Sequence, residues 1–212
     1  MKPPSGEVPS NPVVRTISDP GKTPSSGSEG EGEWIQRARS GDAAAFRLLV
    51  ERYGDRAYGL AFRMLGSPSD AEEVAQDAFL RAWRALPRFR GESSFSTWLH
   101  RIVVRRALDR SATLKTRRVR ETGIEDLDSV ESSATAAAPA SGDLTRRLDR
   151  LLDTLSDMQR AVVLLYYYED HSVEHVAQSL SIPVGTVKTH LHRARALLRT
   201  AWIEEDRRLG QG

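Results

Sequence analysis

The chain contains no cysteine in its 212 residues. Disulfides and cysteine-based zinc sites are excluded, and a reducing cytoplasm is the expected home. Long hydrophobic runs are missing too. The longest, Ala161 to Tyr168, is far short of the ~20 residues that span a bilayer, so no direct membrane insertion is expected. The first residues carry no apolar core behind basic ones, and no signal peptide is expected. Aromatic residues make up only 7% and hydrophobic residues 39%, a lean supply that fits a chain with unfolded portions. No apolar–polar alternation between turns suggests paired strands. A Gly-rich phosphate loop and a nucleophile motif are likewise absent.

What is present is charge, unevenly spread. The formal net charge is only +2, a weak argument for nucleic acid by itself. Positive residues gather at Arg101, Arg105, Arg106, Arg110, Lys115, Arg117, Arg118 and Arg120, and again at Lys188, Arg193, Arg195 and Arg199. Asp70, Glu72, Glu73 and Asp77 form an acidic group elsewhere. Any one cluster could be a solvated helix face. Two basic regions and one acidic face together suggest separate polyanion contacts and a protein contact.

Residues 1–32 are rich in Pro, Gly, Ser and Glu and nearly devoid of large apolar side chains. Such a segment cannot bury enough surface to offset its ordering entropy and reads as a disordered tail. A stretch of Ser, Ala, Pro and Gly reads as a flexible linker, placed at 116–143. The chain is expected to be all-α, with small helical domains at 33–115 and 144–204 and a tail at 205–212.

Phe46, Leu49, Val50 and Tyr53 recur at helical spacing, and Ala57, Leu60, Ala61, Met64 and Leu65 continue the stripe. Gly66 should stop that helix, and Ser67, Pro68 and Asp70 should start the next with an N-cap, a first-turn proline and a capping box. That helix should run to Leu86 and close at Pro87. After a short loop, another helix should turn Trp98, Leu99, Ile102 and Val103 inward and Arg101, Arg105 and Arg106 outward. In the second part, Leu148, Leu151, Leu152 and Leu155 mark one helix, and a capping box from Ser156 to Gln159 opens another through Tyr168. Ser172 should cap a short helix carrying Val173, Val176, Ala177 and Leu180. A tight turn at Ser181 and Ile182 leads to a final helix from Val184 to about Trp202. Two helices joined so closely, at about 172–192, read as a helix-turn-helix.

The final helix has no acidic residue between Val184 and Thr200. Val187, Leu191, Ala194 and Leu198 form its inner stripe. Thr186, Lys188, Thr189, His190 and Arg193 lie on its outer face. Small polar and basic side chains at the start of such a helix suit base edges and phosphates in a major groove.

The run SVEHVAQSLSIPVGTVKTHLHRARALLR from Ser172 resembles the second DNA-binding domain of the extracytoplasmic-function (ECF) group of the sigma-70 family of RNA polymerase sigma factors. In the first part, DAEEVAQDAFLRAWRAL resembles that group's polymerase-binding helix, and FRGESSFSTWLHRIVVRRALD its promoter-opening segment. The matches fall in the family's order on either side of the linker and cover roughly 44–112 and 145–200. By resemblance, the first folded part is sigma domain 2, a helical bundle, and the second is sigma domain 4.

The resemblance implies a transcription-initiation factor that binds core RNA polymerase, recognises −35 and −10 promoter elements and helps melt the latter. Thr186, Lys188, Thr189, His190 and Arg193 would contact the −35 DNA. Many relatives have arginine where His190 stands, which leaves the −35 preference open. Phe89, Gly91, Ser93 and Phe95 would hold a flipped −10 base, with Arg90, Arg101, Arg105 and Arg106 on phosphates. A pocket for an unstacked base needs stacking surface and edge hydrogen bonds. Many relatives have asparagine where Arg105 stands, which favours a phosphate contact there. For Phe95 and Trp98 the competing reading is core packing, preferred for Trp98. Asp70, Glu73, Gln76 and Asp77 would meet the polymerase β′ coiled coil. Phe79 or Trp83 would add an apolar anchor, at least one of the two being core. The β flap and an anti-sigma factor are further implied partners, and no cofactor or small-molecule substrate is implied.

Two other classes compete. His171 and His175 stand four apart, a spacing that can bind metal in an enzyme, yet no clear third ligand accompanies them. A dimeric helix-turn-helix regulator would need a signalling domain in 33–115, where neither receiver-like strands nor a ligand pocket is evident. The expectation is therefore no enzyme and no metal.

Overall fold

The computed structural model describes residues 28–122 and 143–209. The tail reading for 1–27 and 210–212, and the linker reading for 123–142, lie outside the described residues. Helix α1 spans Ser28–Arg39, α2 Ala43–Leu65, α3 Pro68–Ala85 and α4 Phe95–Thr122. Helix α5 spans Asp143–Asp153, α6 Asp157–Val163, α7 Val173–Leu180 and α8 Val184–Leu209. There is no strand among the described residues.

Boundaries follow local chemistry. Asp42 caps α2 by accepting from the backbone N–H groups of Ala44 and Ala45, at 2.9 and 3.1 Å. Gly66 ends α2 in the left-handed conformation, at φ +69°, where a side chain would be strained. Ser67 then caps α3 through the Asp70 N–H, with Pro68 at the first turn. Asp70 itself turns to Arg110, so the reciprocal half of a capping box is not what occupies its carboxylate. The capping box at Ser156 and Gln159 forms with both hydrogen bonds.

Some elements differ from their sequence-based bounds. Helix α1 starts inside the 1–32 segment, since Trp34, Ile35 and Ala38 pack on the core. Helix α4 continues through 116 to Thr122, and α8 runs on to Leu209. Arg147 holds that last stretch, pairing with Glu205 at 3.2 Å and lying over the Trp202 ring at 3.5 Å. The helix expected through Tyr168 keeps α-helical geometry only to Val163, and Leu164–Tyr168 forms a π-helical turn. Its wider hydrogen bond, Glu169 N to Leu164 O at 3.0 Å, rotates Glu169 into the interior.

The core of the first part is the meeting of α2, α3 and α4, with Leu49, Leu60, Leu86, Phe95, Leu99, Val103 and Val104 buried. In the second part α6 and α7 pack on α8 around Val162, Leu165, Val176 and Val187. The two parts also touch, α4 and α2 against α6 and α4 against α7. Reciprocal arginine caps mark that contact. Arg160 Nη1 donates to Met64 O at the end of α2 at 3.3 Å, and Arg105 Nε donates to Ser179 O at the end of α7 at 2.8 Å. Each guanidinium thus meets carbonyls that a helix end leaves unpaired, at the negative pole of its dipole.

Candidate nucleic-acid interface

Helix α8 displays its outer face as the helical period dictates. Val187, Leu191 and Ala194 are buried, while Lys188, Thr189 and Arg193 are exposed. Thr186 and His190 are half-buried. His190 Nδ1 is covered by its surroundings and has no hydrogen-bond partner. Thr189 Oγ1 donates back to Gly185 O at 2.9 Å, so its hydroxyl hydrogen is already engaged within the helix. The sharp turn before α8 places Ser181 at φ +56°, capping α7.

A second basic surface lies at the start of α4. Gly91 sits at φ +73°, so the loop before α4 needs a residue without Cβ there. Arg88, Phe89, Arg90, Ser93, Trp98 and Arg101 line a cavity of about 330 Å³ beside this loop. Its far wall comes from His175 and Gln178 of α7, in the other domain. Phe89 and Trp98 meet at 5.0 Å between ring centroids and offer an aromatic wall. Arg101 Nε is buried without a hydrogen-bond partner. A cavity with aromatic wall, hydroxyl and guanidinium has the chemistry to take a base and its phosphate.

Phe95 departs from its expected place. It is 1% exposed and packs on Tyr53 at 5.3 Å, so it supports the cavity from beneath and cannot stack a base. Trp98, for which core packing was the preferred reading, packs against the core through Phe89 and Phe95 while its half-exposed remainder lines the cavity. The reason is register: Phe95 joins Leu99 and Val103 on the inner stripe, whereas Trp98 stands at its edge.

Helix α3 carries the acidic group. Ala71, Val74, Ala75, Ala78, Phe79 and Ala82 face the core. Phe79 is buried edge-on against Phe46, and Trp83 lies half-covered 4.9 Å from the same ring. Phe79 is therefore the core member of the pair. The exposed apolar side chain of this face is Leu80, at 57% exposure, which sequence reasoning missed. Its signal was available, since position 80 falls off the stripe that 71, 75, 78 and 82 define.

The acidic residues are not idle. Arg110 Nε donates to Asp70 at 2.7 Å and Nη1 to Glu73 at 3.2 Å, while Arg106 Nε donates to Asp77 at 2.6 Å. Burial pushes both the Asp70 and Asp77 carboxyls upward, but hydrogen bonds from Ser67 and Arg110, and from Arg81 and Arg106, hold them below the usual range. Gln76 is exposed and bonds Glu72 at 3.1 Å. Glu73 keeps 64% of its side chain in solvent. Arg106 and Arg110, like Arg105 on the Ser179 carbonyl, thus have structural duties, and the free positive surface is smaller than the sequence suggests.

The histidine pair has no clear third ligand near it among the described residues. The His171 and His175 rings are 6.5 Å apart.

Comparison with known proteins adds what geometry alone leaves open. The Sigma-70 region 2 family matches residues 49–117, and the Sigma-70, region 4 family matches 145–198. The ECF RNA polymerase sigma factor SigW of Bacillus subtilis is 33% identical over 173 residues, covering 78% of this chain and 92% of the relative. The chain belongs to the ECF sigma factors. The sigma-E factor of Escherichia coli is 32% identical over 173 residues, covering 76% of this chain and 88% of its own. Among solved structures, CnrH in complex with the cytosolic domain of CnrY shares 28% identity at a TM-score of 0.55, covering 84% of this chain and 99% of that one. RpoE of Bartonella quintana, in complex with the anti-sigma factor NepR, has the same fold at a TM-score of 0.59 and 24% identity, over 74% of this chain and 96% of that one. As an ECF sigma factor, the protein directs transcription initiation with core RNA polymerase at promoter DNA and is not itself an enzyme. No helix among the described residues is long and apolar enough to cross a membrane.

Proposed function

We propose that this sigma factor divides promoter recognition between its basic surfaces. Lys188, Thr189 and Arg193 of α8, flanked by Thr186 and His190, enter the major groove of the −35 element. The cavity beside the Gly91 loop receives a flipped −10 base, stacked on Phe89 and Trp98. Ser93 supplies a hydrogen bond, while Arg90, Arg101 and Arg105 hold the strand's phosphates. Phe95 acts from below as a positioning residue, and melting follows from holding the base outside the stack.

The observation that carries this reading is the cavity, where a half-buried tryptophan adjoins a buried guanidinium nitrogen lacking a partner. On the opposite chemistry, Leu80 offers an apolar point beside the Glu73 and Asp77 carboxylates and the Gln76 amide, suited to a basic coiled coil of the polymerase β′ subunit. The second domain meets the β flap. The anti-sigma complexes of its structural relatives support a similar inhibitor as partner here, and work on the chromosome favours a cytoplasmic location.

Reconstitution with core polymerase lacking other sigma factors tests the assignment. Promoter-specific transcripts are expected, with Trp98→Ala slowing open-complex formation and Arg193→Ala weakening −35 dependence. Sequence-specific binding that is indifferent to polymerase would instead mark a conventional regulator.

A further inference from the structure

Positive charge that neither the fold nor the promoter roles above absorb collects at the far end of α4. No acidic residue stands between Arg110 and Arg120, a run that holds Lys115, Arg117, Arg118 and Arg120. The last buried residue of α4 is Ala107, yet the helix continues to Thr122, roughly 22 Å farther at 1.5 Å per residue. Lys115 donates to Asp157 at 2.8 Å, as Arg56 donates to Glu169 at 3.0 Å, so both serve the contact between the two domains. Arg118 is exposed but already partnered. Arg117 keeps 69% of its side chain in solvent and meets Glu121 at 3.3 Å, an exposed pair of little weight. Arg120 is exposed and has no partner among the described residues.

The ordinary account of such a tail is a solvated face whose cations favour the negative end of the helix dipole. A solvated face interleaves its signs, because opposite charges one turn apart attract and like charges repel. Here Arg117 and Arg120, at i and i+3, repel each other, and the last turns supply one carboxylate, Glu121. A polyanion outside the chain offsets that repulsion. The surface is also shaped for a phosphate backbone. Arg101, Arg105, Asp109, Ala112, Thr116 and Arg120 recur at i+3 or i+4 steps along one outer face of α4. Asp109 is taken up by Arg106 at 2.7 Å, and Thr116 Oγ1 donates back to Ala112 O at 2.9 Å. The middle of the face is thus low, its one acid is paired, and arginines stand at both ends. From Arg101, at the base cavity, to Arg120 is roughly 28 Å of helix, the length of about eight base pairs of duplex.

We propose that the end of α4, through Arg117 and Arg120, grips phosphates of the promoter duplex upstream of the −10 element. The inference rests on the promoter reading above, which puts the flipped −10 base at the other end of the same helix. The contact carries no sequence information. It adds a hold on the spacer between the two recognised elements and fixes the direction in which the duplex leaves the base cavity.

Binding of the full-length chain with core polymerase to fork-junction probes tests the contact. Each probe carries a single-stranded −10 element, no −35 element, and an upstream duplex arm of about 3 or about 12 base pairs, short of Arg120 or past it. Arg117→Ala combined with Arg120→Ala changes two exposed helix positions to the residue that favours a helix most, so the fold is kept. On the long arm the slope of log K against log salt should fall by about 2 in this variant, and on the short arm it should not change. An about fourfold rise in salt should then cost the variant roughly tenfold less long-arm affinity than it costs the unaltered holoenzyme. Arg117→Lys with Arg120→Lys should restore the slope, and scrambling the sequence of the arm should leave it alone. Equal losses on both arms would put these arginines on polymerase or on the −10 strand, and no loss on either would leave them a solvated face; each result overturns the proposal. Failure of the unaltered holoenzyme to prefer a −10 probe over a scrambled one would instead remove the promoter reading, and this contact with it.

Discussion

Leu80 and His171 both gain their significance from position. Leu80 is the exposed apolar side chain on the acidic face of α3, with no core neighbour to lose. Leu80→Asp should therefore leave thermal stability within about 0.5 kcal/mol of the original. Its cost should fall on polymerase affinity, by roughly tenfold or more, since burying a leucine contributes about 1.5–3 kcal/mol. Competition binding against core polymerase, paired with a melting curve, separates the two effects.

His171 is 7% exposed, its Nδ1 has no hydrogen-bond partner, and it stacks on His100 at 6.0 Å. Burial, then the neighbouring His100 charge, pushes its imidazole down to about 4 from 6.5, while Glu169 pulls the other way. A depressed histidine is neutral in the folded chain where the unfolded chain is protonated. Its contribution to stability is thus intact above pH 6.5 and is lost as pH falls toward about 4. A loss of about 2 kcal/mol over that window, allowing for partial solvation, should appear in urea denaturation, and His171→Gln should flatten the profile. An unchanged slope in that variant would assign the acid sensitivity to other groups.

At the scale of elements, caps and terminal charges govern behaviour. Ser156→Ala removes one half of the capping box of α6 and should cost about 1 kcal/mol in urea denaturation, with helix content retained. On α8, Lys188 and Arg193 are exposed and free of acidic neighbours on that face. Arg193→Ala should weaken binding to −35 duplexes and lower the slope of log K against log salt by about 1, the loss of one phosphate contact. A change in sequence preference with an unaltered slope would instead place Arg193 on a base edge.

For the whole molecule, the contact between domains should be visible as mutual stabilisation. Docking of one folded part on the other stabilises both, as any ligand stabilises the state it binds. Calorimetry of the unaltered chain should give closely overlapping transitions. In Glu169→Gln the less stable domain should melt several degrees earlier and the other should shift less. Two fully independent transitions already present in the unaltered chain would show the contact to be too weak to matter energetically.

Much was determined by sequence alone. Helical spacing of apolar residues, Gly66, the Ser67 and Ser156 caps and the tight turn at Ser181 are local signals, written within a few residues of where they act. The exposed face of α8 was legible for the same reason, because one helix's period sets it. Tertiary structure decided what depends on neighbours distant in the chain. Register sets Phe95 inward, but that Tyr53 covers it and that Trp98 borders a cavity shared with α7 depend on residues far along the chain. Arg106 and Arg110 serve Asp77, Asp70 and Glu73, which periodicity cannot assign. The closing of the two domains through Glu169 depends on a π-helical turn that redirects a carboxylate toward Arg56 and His100. A residue's partners across space follow from packing, and packing is not a local property of the chain.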